Sequence, residues 1–172
     1  MKKIIYFIML LSMTSSVFAL DSTQKATLKT AALAESTLTT AIVNGDDTSV
    51  AAWFNTNSSF IVWRTNVSCK EYRDGAIVWT AVDTLTAGKA RIWEWMCQDN
   101  FINPSKTNVR QGFVDAFGAG SATTTAATAT SKRNATNAEK ALATGTGTNG
   151  TPGLLTFEGS ISVNDVSEIL RP

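Results

Sequence analysis

Two amphipathic helical patterns lie back to back between Thr84 and Gly118, and no other feature limits the fold as much. In LTAGKARIWEWM, Leu85, Lys89 or Ala90, Ile92, Trp93 and Met96 share one helical face, while Arg91 and Glu94 turn away. Asn103-Pro104-Ser105 then stops this helix and starts the next, because proline fits a first helical turn and Asn103 can cap it. Val109, Phe113, Ala116 and Phe117 recur at i, i+4, i+7 and i+8 up to Gly118, which tolerates the backbone that ends a helix. Two such faces must be buried against each other or against further elements. This requires a mainly helical core.

The flanking segments are shorter. Ser22 is expected to cap a helix running through Leu28, Ala31, Ala32 and Glu35. After Gly45, the side-chain oxygens of Asp46, Asp47, Thr48 and Ser49 can cap a second helix carrying Val50, Trp53 and Phe54. Asn55 to Ser59 reads as a polar turn, and Phe60-Ile61-Val62-Trp63 as a short strand or buried extended segment. Asp74-Gly75 reads as a turn, and Ala76 to Trp79 fits either helix or strand. The low-complexity Ala and Thr of 119–130 read as a link or as the first turns of a helix, with the helix itself expected from about Ser131 to Ala143. TGTGTNGTPG at 144–153 holds too much glycine for regular structure and is expected to be a loop. Leu154 to Phe157 reads as a strand, Glu158-Gly159 as a turn, and Ser162-x-x-Asp165 as the capped start of a last helix through Val166, Ile169 and Leu170. The expectation is a mainly α fold with minor β (α+β), as a single globular domain over 20–172.

Residues 1–19 join Lys2 and Lys3 to an apolar run from Ile4 to Leu11 and to small residues before Ala19. That is the build of a cleavable secretory signal peptide, the alternatives being an N-terminal extension or a start at Met13. The run is too short to span a bilayer, so no stable membrane span is expected in the mature form. Cys69 and Cys97 are the only cysteines. They can form one disulfide in an exported chain, remain free thiols in cytoplasm, or serve as small buried hydrophobes.

Composition narrows the function classes. With 15 Lys+Arg against 14 Asp+Glu, the chain offers no electrostatic case for nucleic acid. Absence of histidine removes Ser-His-Asp and Cys-His catalysis and imidazole-ligated metals. TGTGTNG lacks the Lys-Ser or Lys-Thr of a phosphate loop, and Pro152 removes a needed amide. Asp46, Asp47, Glu71, Asp74, Asp83 and Asp99 are better explained as caps and turns than as a catalytic pair. No catalytic, cofactor-binding or metal residue is assigned, no cofactor is expected, and the chain is read as a non-enzyme. The tryptophans are the most distinctive set. Trp93 and Trp95 point about 200° apart on a helix, so one belongs to the core and the other to the surface. Trp63, Trp79 and Trp95 are the candidate partner-interface residues, and Cys69 with Cys97 the candidate disulfide.

Ile61-Val62-Trp63-Arg64-Thr65, Val78-Trp79-Thr80, LTAGKARIWEWM at 85–96, INPSKTNVRQGF at 102–113, AEKALATGTGTNGTPGLLTFEGSIS at 138–162 and Asp165-Val166 follow in order. This series resembles a family of small uncharacterised proteins of tailed bacteriophages and prophages, over about residues 22–168. The resemblance implies a virion structural or assembly protein of the tail region, whose partners are other virion proteins or further copies of itself. It implies no enzyme activity, defines no functional residues, and places the protein in a virion assembled in host cytoplasm. The departure is the leader, since the family's members begin near the segment matching Asp21 to Leu28. Cleavage after Ala19 would instead send the chain out as a periplasmic or secreted binding module acting on a host envelope component.

Overall fold

The computed structural model describes residues 20–172, and the expected signal peptide lies outside the described residues. The first helix, α1 (Ser22–Ala34), starts one residue earlier than expected. Asp21 caps it, accepting from the Gln24 amide at 2.8 Å, and the Gln24 side chain returns a bond to the Asp21 amide. A carboxylate meets these free amides better than the Ser22 hydroxyl would. A short 3-10 turn leads into α2 (Thr39–Val43), Gly45 reverses the chain at a φ of 67°, and α3 (Asp47–Asn55) starts from an Asp46 cap.

Strand β1 (Asn57–Trp63) takes in part of the expected polar turn. After it come β2 (Val67–Ser68), α4 (Cys69–Gly75), α5 (Trp79–Val82), α6 (Ala87–Met96) and β3 (Phe101–Ile102). The chain continues through α7 (Thr107–Phe117), α8 (Ala122–Thr130), β4 (Lys132–Thr136), α9 (Asn137–Leu142) and α10 (Val163–Leu170). The architecture is mainly helical, with two small antiparallel sheets pairing β1 with β4 and β2 with β3.

Several local expectations are corrected. Asn103 does not cap α7; its carbonyl accepts from the Ser105 amide and hydroxyl, and the helix starts later, at Thr107. Asp74 and Gly75 end α4 instead of forming a separate turn. The Ala/Thr segment is itself a helix, and no single helix spans Ser131 to Ala143. Ser121 caps α8, and the buried Thr124 hydroxyl donates to Gly118 O at 2.8 Å, so hydroxyls that composition marks as surface groups are satisfied inside. Helix α9 begins only at Asn137, capped by Thr136, whose hydroxyl and Glu139 form a reciprocal capping box; before it the backbone is drawn into pairing with β1. Leu154 to Phe157 forms only an isolated bridge, Thr144 to Leu154. The Ser162–Asp165 box opens α10.

Two groups of buried side chains result. Leu28, Val50, Phe54, Ala138, Val166 and Ile169 join α1, α3, α9 and α10. Val67, Tyr72, Ile102, Phe113 and Ala127 join α4, α7, α8 and the β2–β3 pair. The β1–β4 ribbon touches α9 of the first group and α8 of the second. Its outer edge is closed by the glycine loop: Ile61 N donates to Gly147 O at 2.8 Å, and Ile61 O accepts from Gly153 N at 2.8 Å. The expected glycine loop thus satisfies a strand edge.

Candidate contact surface

Cys69 and Cys97 are joined in a disulfide with a Cα separation of 5.7 Å. The Ser68–Glu71 capping box sets Cys69 at the first position of α4, and Cys97 follows the last residue of α6. The Cys69 amide also donates to Asn100 O at 2.8 Å. The bond therefore ties the end of α6 to the start of α4.

This tie, together with the α7 contact, sets which way α6 faces. Trp93 lies with its ring centroid 6.2 Å from Phe113 and 6.1 Å from Phe117, against the second core. Gly112 receives Met96 so closely that a Cβ there would sit 2.7 Å from the Met96 sulfur. Trp95 consequently points outward and is 69% exposed. Trp79, on the single turn of α5, is 57% exposed. Phe101 is equally open, because its strand neighbour Ile102 takes the buried side. Among the described residues, every large aromatic classed as exposed lies between Val67 and Thr130.

Trp63 is different. It is half-buried in β1, with the Arg110 guanidinium 4.4 Å and the Lys132 ammonium 5.3 Å from its ring centroid. Burial lowers the pKa of both cations. Arg110 instead donates to the Pro104 and Ser105 carbonyls, and Lys132 to Asn149 O. The indole supplies the cations' π partner. Of the three expected interface tryptophans, the structure leaves Trp79 and Trp95 open on separate helices and covers Trp63 with cations. Phe101 escaped the sequence reading because a two-residue strand is too short to show alternation.

Of the six carboxylates singled out in the sequence, Glu71, Asp74, Asp47 and Asp46 have side-chain partners. Glu71 receives Arg64 at 2.6 and 3.2 Å, and this bonding holds its carboxyl below the ordinary range. Asp74 pairs with Lys70, Asp47 with Arg171, and Asp46 caps α3. Among the described residues, no three His, Cys, Asp or Glu converge as a metal set, and no helix is long and apolar enough to cross a membrane.

The chain matches no family model, no curated protein and no solved structure. The surface offers open aromatic rings on segments that a disulfide ties together.

Proposed function

We propose that the protein is a non-enzymatic component of a tailed phage or prophage particle, acting in the virion or its assembly through protein–protein contacts. The observation that supports the contact role is the exposure of Trp79, Trp95 and Phe101 on the disulfide-tied part of the chain, and the ordered motifs supply the phage assignment. Exposed aromatic side chains are enriched at interfaces and supply much of the binding energy there. Purified particles should contain the chain, detected by mass spectrometry. Trp95→Ala should lower its incorporation while leaving its melting temperature unchanged. Particles free of the protein would overturn the reading.

A second reading is favoured by the disulfide. Such bonds persist in oxidising compartments, and with the signal-like residues 1–19 the bond supports export as a periplasmic binding module acting on an envelope component. A periplasmic chain starting at Leu20 with linked cysteines, and absent from particles, would replace the first reading with the second.

A further inference from the structure

Away from the exposed aromatics, a cavity of about 230 Å³ opens between the end of α1, α3 and α9. Ala31 and Ala141 keep two of its walls low, and Trp53 forms a third, with its ring edge-on to Phe54 at 5.1 Å. Three polar side chains surround this aromatic wall, Glu35 from the end of α1 and Asn137 and Lys140 from α9. Asn137 donates through Nδ2 to Trp53 O at 2.9 Å, which orients its amide and leaves its carbonyl oxygen without a hydrogen bond among the described residues. Glu35 uses Oε1 for the Thr37 amide and hydroxyl, leaving Oε2 available. Lys140 is exposed and makes no ion pair among the described residues.

We propose that this cavity binds a neutral pyranose, its ring hydrogens lying against Trp53 and its hydroxyls bonding Asn137, Glu35 and Lys140. The face of a pyranose is apolar and its rim is ringed with hydroxyls, each both donor and acceptor. The cavity presents the complement: an indole wall with an amide carbonyl, a carboxylate and an ammonium around it. Its two charges offset each other, so a singly charged ligand is attracted by one and repelled by the other. A neutral polyol is opposed by neither. The site does not depend on the contact role proposed above, since it lies on the other buried group of the fold.

The test is a ¹H–¹⁵N titration of the whole protein, with the Trp53 indole resonance assigned by its loss in Trp53→Phe. Glucose and N-acetylglucosamine serve as probes, separating a plain hexose from an acetamido sugar, and glycine serves as the zwitterionic control. The Trp53 indole and the Lys140 and Ala141 amides should shift saturably with at least one sugar. Lys140→Ala, an exposed change that leaves the spectrum otherwise intact, should weaken this binding about tenfold, as loss of one charge-assisted hydrogen bond does. Sugar titrations that leave Trp53 unmoved would overturn the proposal. So would saturation by glycine in place of sugar, or binding unaffected by both Lys140→Ala and Glu35→Gln.

Discussion

The Arg133 guanidinium holds both carboxylate oxygens of the buried Glu139, at 2.6 and 2.7 Å, and reaches Glu158 at 3.0 Å with the same group. Glu139 is only 3% exposed and also receives the Thr136 amide at 2.9 Å. One residue therefore caps α9 and fastens it to β4, beside the strand that joins the two buried groups. Burial acts to raise the Glu139 carboxyl, but the Arg133 bonds and the Thr136 amide outweigh it and hold the group below its ordinary value of 4.5. Its contribution is thus complete above that pH and is lost as pH falls toward the folded value. Glu139→Gln should cost about 2 kcal/mol at neutral pH, as loss of a charge-assisted hydrogen bond does, because Arg133 is half-buried and keeps Glu158. It should also flatten the acid limb of a melting-temperature against pH curve. A mutant with the wild-type acid limb would assign that limb to other carboxylates.

Trp93 and Trp95 should separate cleanly. Trp93→Ala empties the space against Phe113 and Phe117 and should destabilise by about 3 kcal/mol. Trp95→Ala removes an outward ring and should stay within about 0.5 kcal/mol. Chemical denaturation measures both, and equal losses would contradict the orientation of α6.

The disulfide closes a sequence separation of 28 residues, for which chain entropy gives a stabilisation of about 3.5 kcal/mol. Cys97→Ser should lower the melting temperature, and non-reducing electrophoresis should show a mobility difference from the wild type that vanishes on reduction. Identical mobilities with and without reductant would show that the bond does not form in the isolated protein.

Gly147 has a φ of 65°, and a Cβ there would fall within the Phe60 ring. Gly147→Ala therefore meets both a backbone penalty and a clash, and should cost about 2 kcal/mol or more. Gly150→Ala is the control in the same loop, because open space surrounds that position. Amide exchange at Ile61 should quicken in the first variant alone, since its partner is Gly147 O.

Tyr72 is fully buried, with its hydroxyl 2.8 Å from Ser131 Oγ. Burial pushes its pKa up to about 12 from an ordinary 10.0. The folded state thus keeps a proton that the unfolded chain releases, so stability falls as pH rises through this interval. Tyr72→Phe should cost about 1 kcal/mol at neutral pH and remove this alkaline loss. Ultraviolet titration of the phenolate checks the first point, and alkaline melting curves the second.

The helices whose apolar residues repeat strongly were legible from the chain alone. Phe113 and Ala116 mark the buried side of α7 by spacing, and Gly118 ends it with the positive φ that glycine permits. The opposed directions of Trp93 and Trp95 likewise follow from helical geometry. The region from Ser121 to Leu142 did not yield. Thr123 and Thr124 look like surface residues until Val78 N and Gly118 O are brought to their hydroxyls. The strand at 132–136 has no apolar alternation, and exists because β1 pairs with it along one edge.

The candidate surface divides the same way. Two cysteines and five tryptophans could be counted in the sequence, but which rings are open depends on packing. Trp63 reads like Trp79 until Arg110 and Lys132, distant in the chain, arrive over its ring. Local spacing and capping chemistry act within a few residues, so the sequence by itself determined the strongest helices, the glycine loop and the absence of imidazole chemistry. The Trp53 cavity, the closure of the β1 edge and the Arg133–Glu139 clasp join segments far apart in the chain. Only the tertiary structure decided them, because burial and hydrogen-bond satisfaction are settled by which distant groups meet.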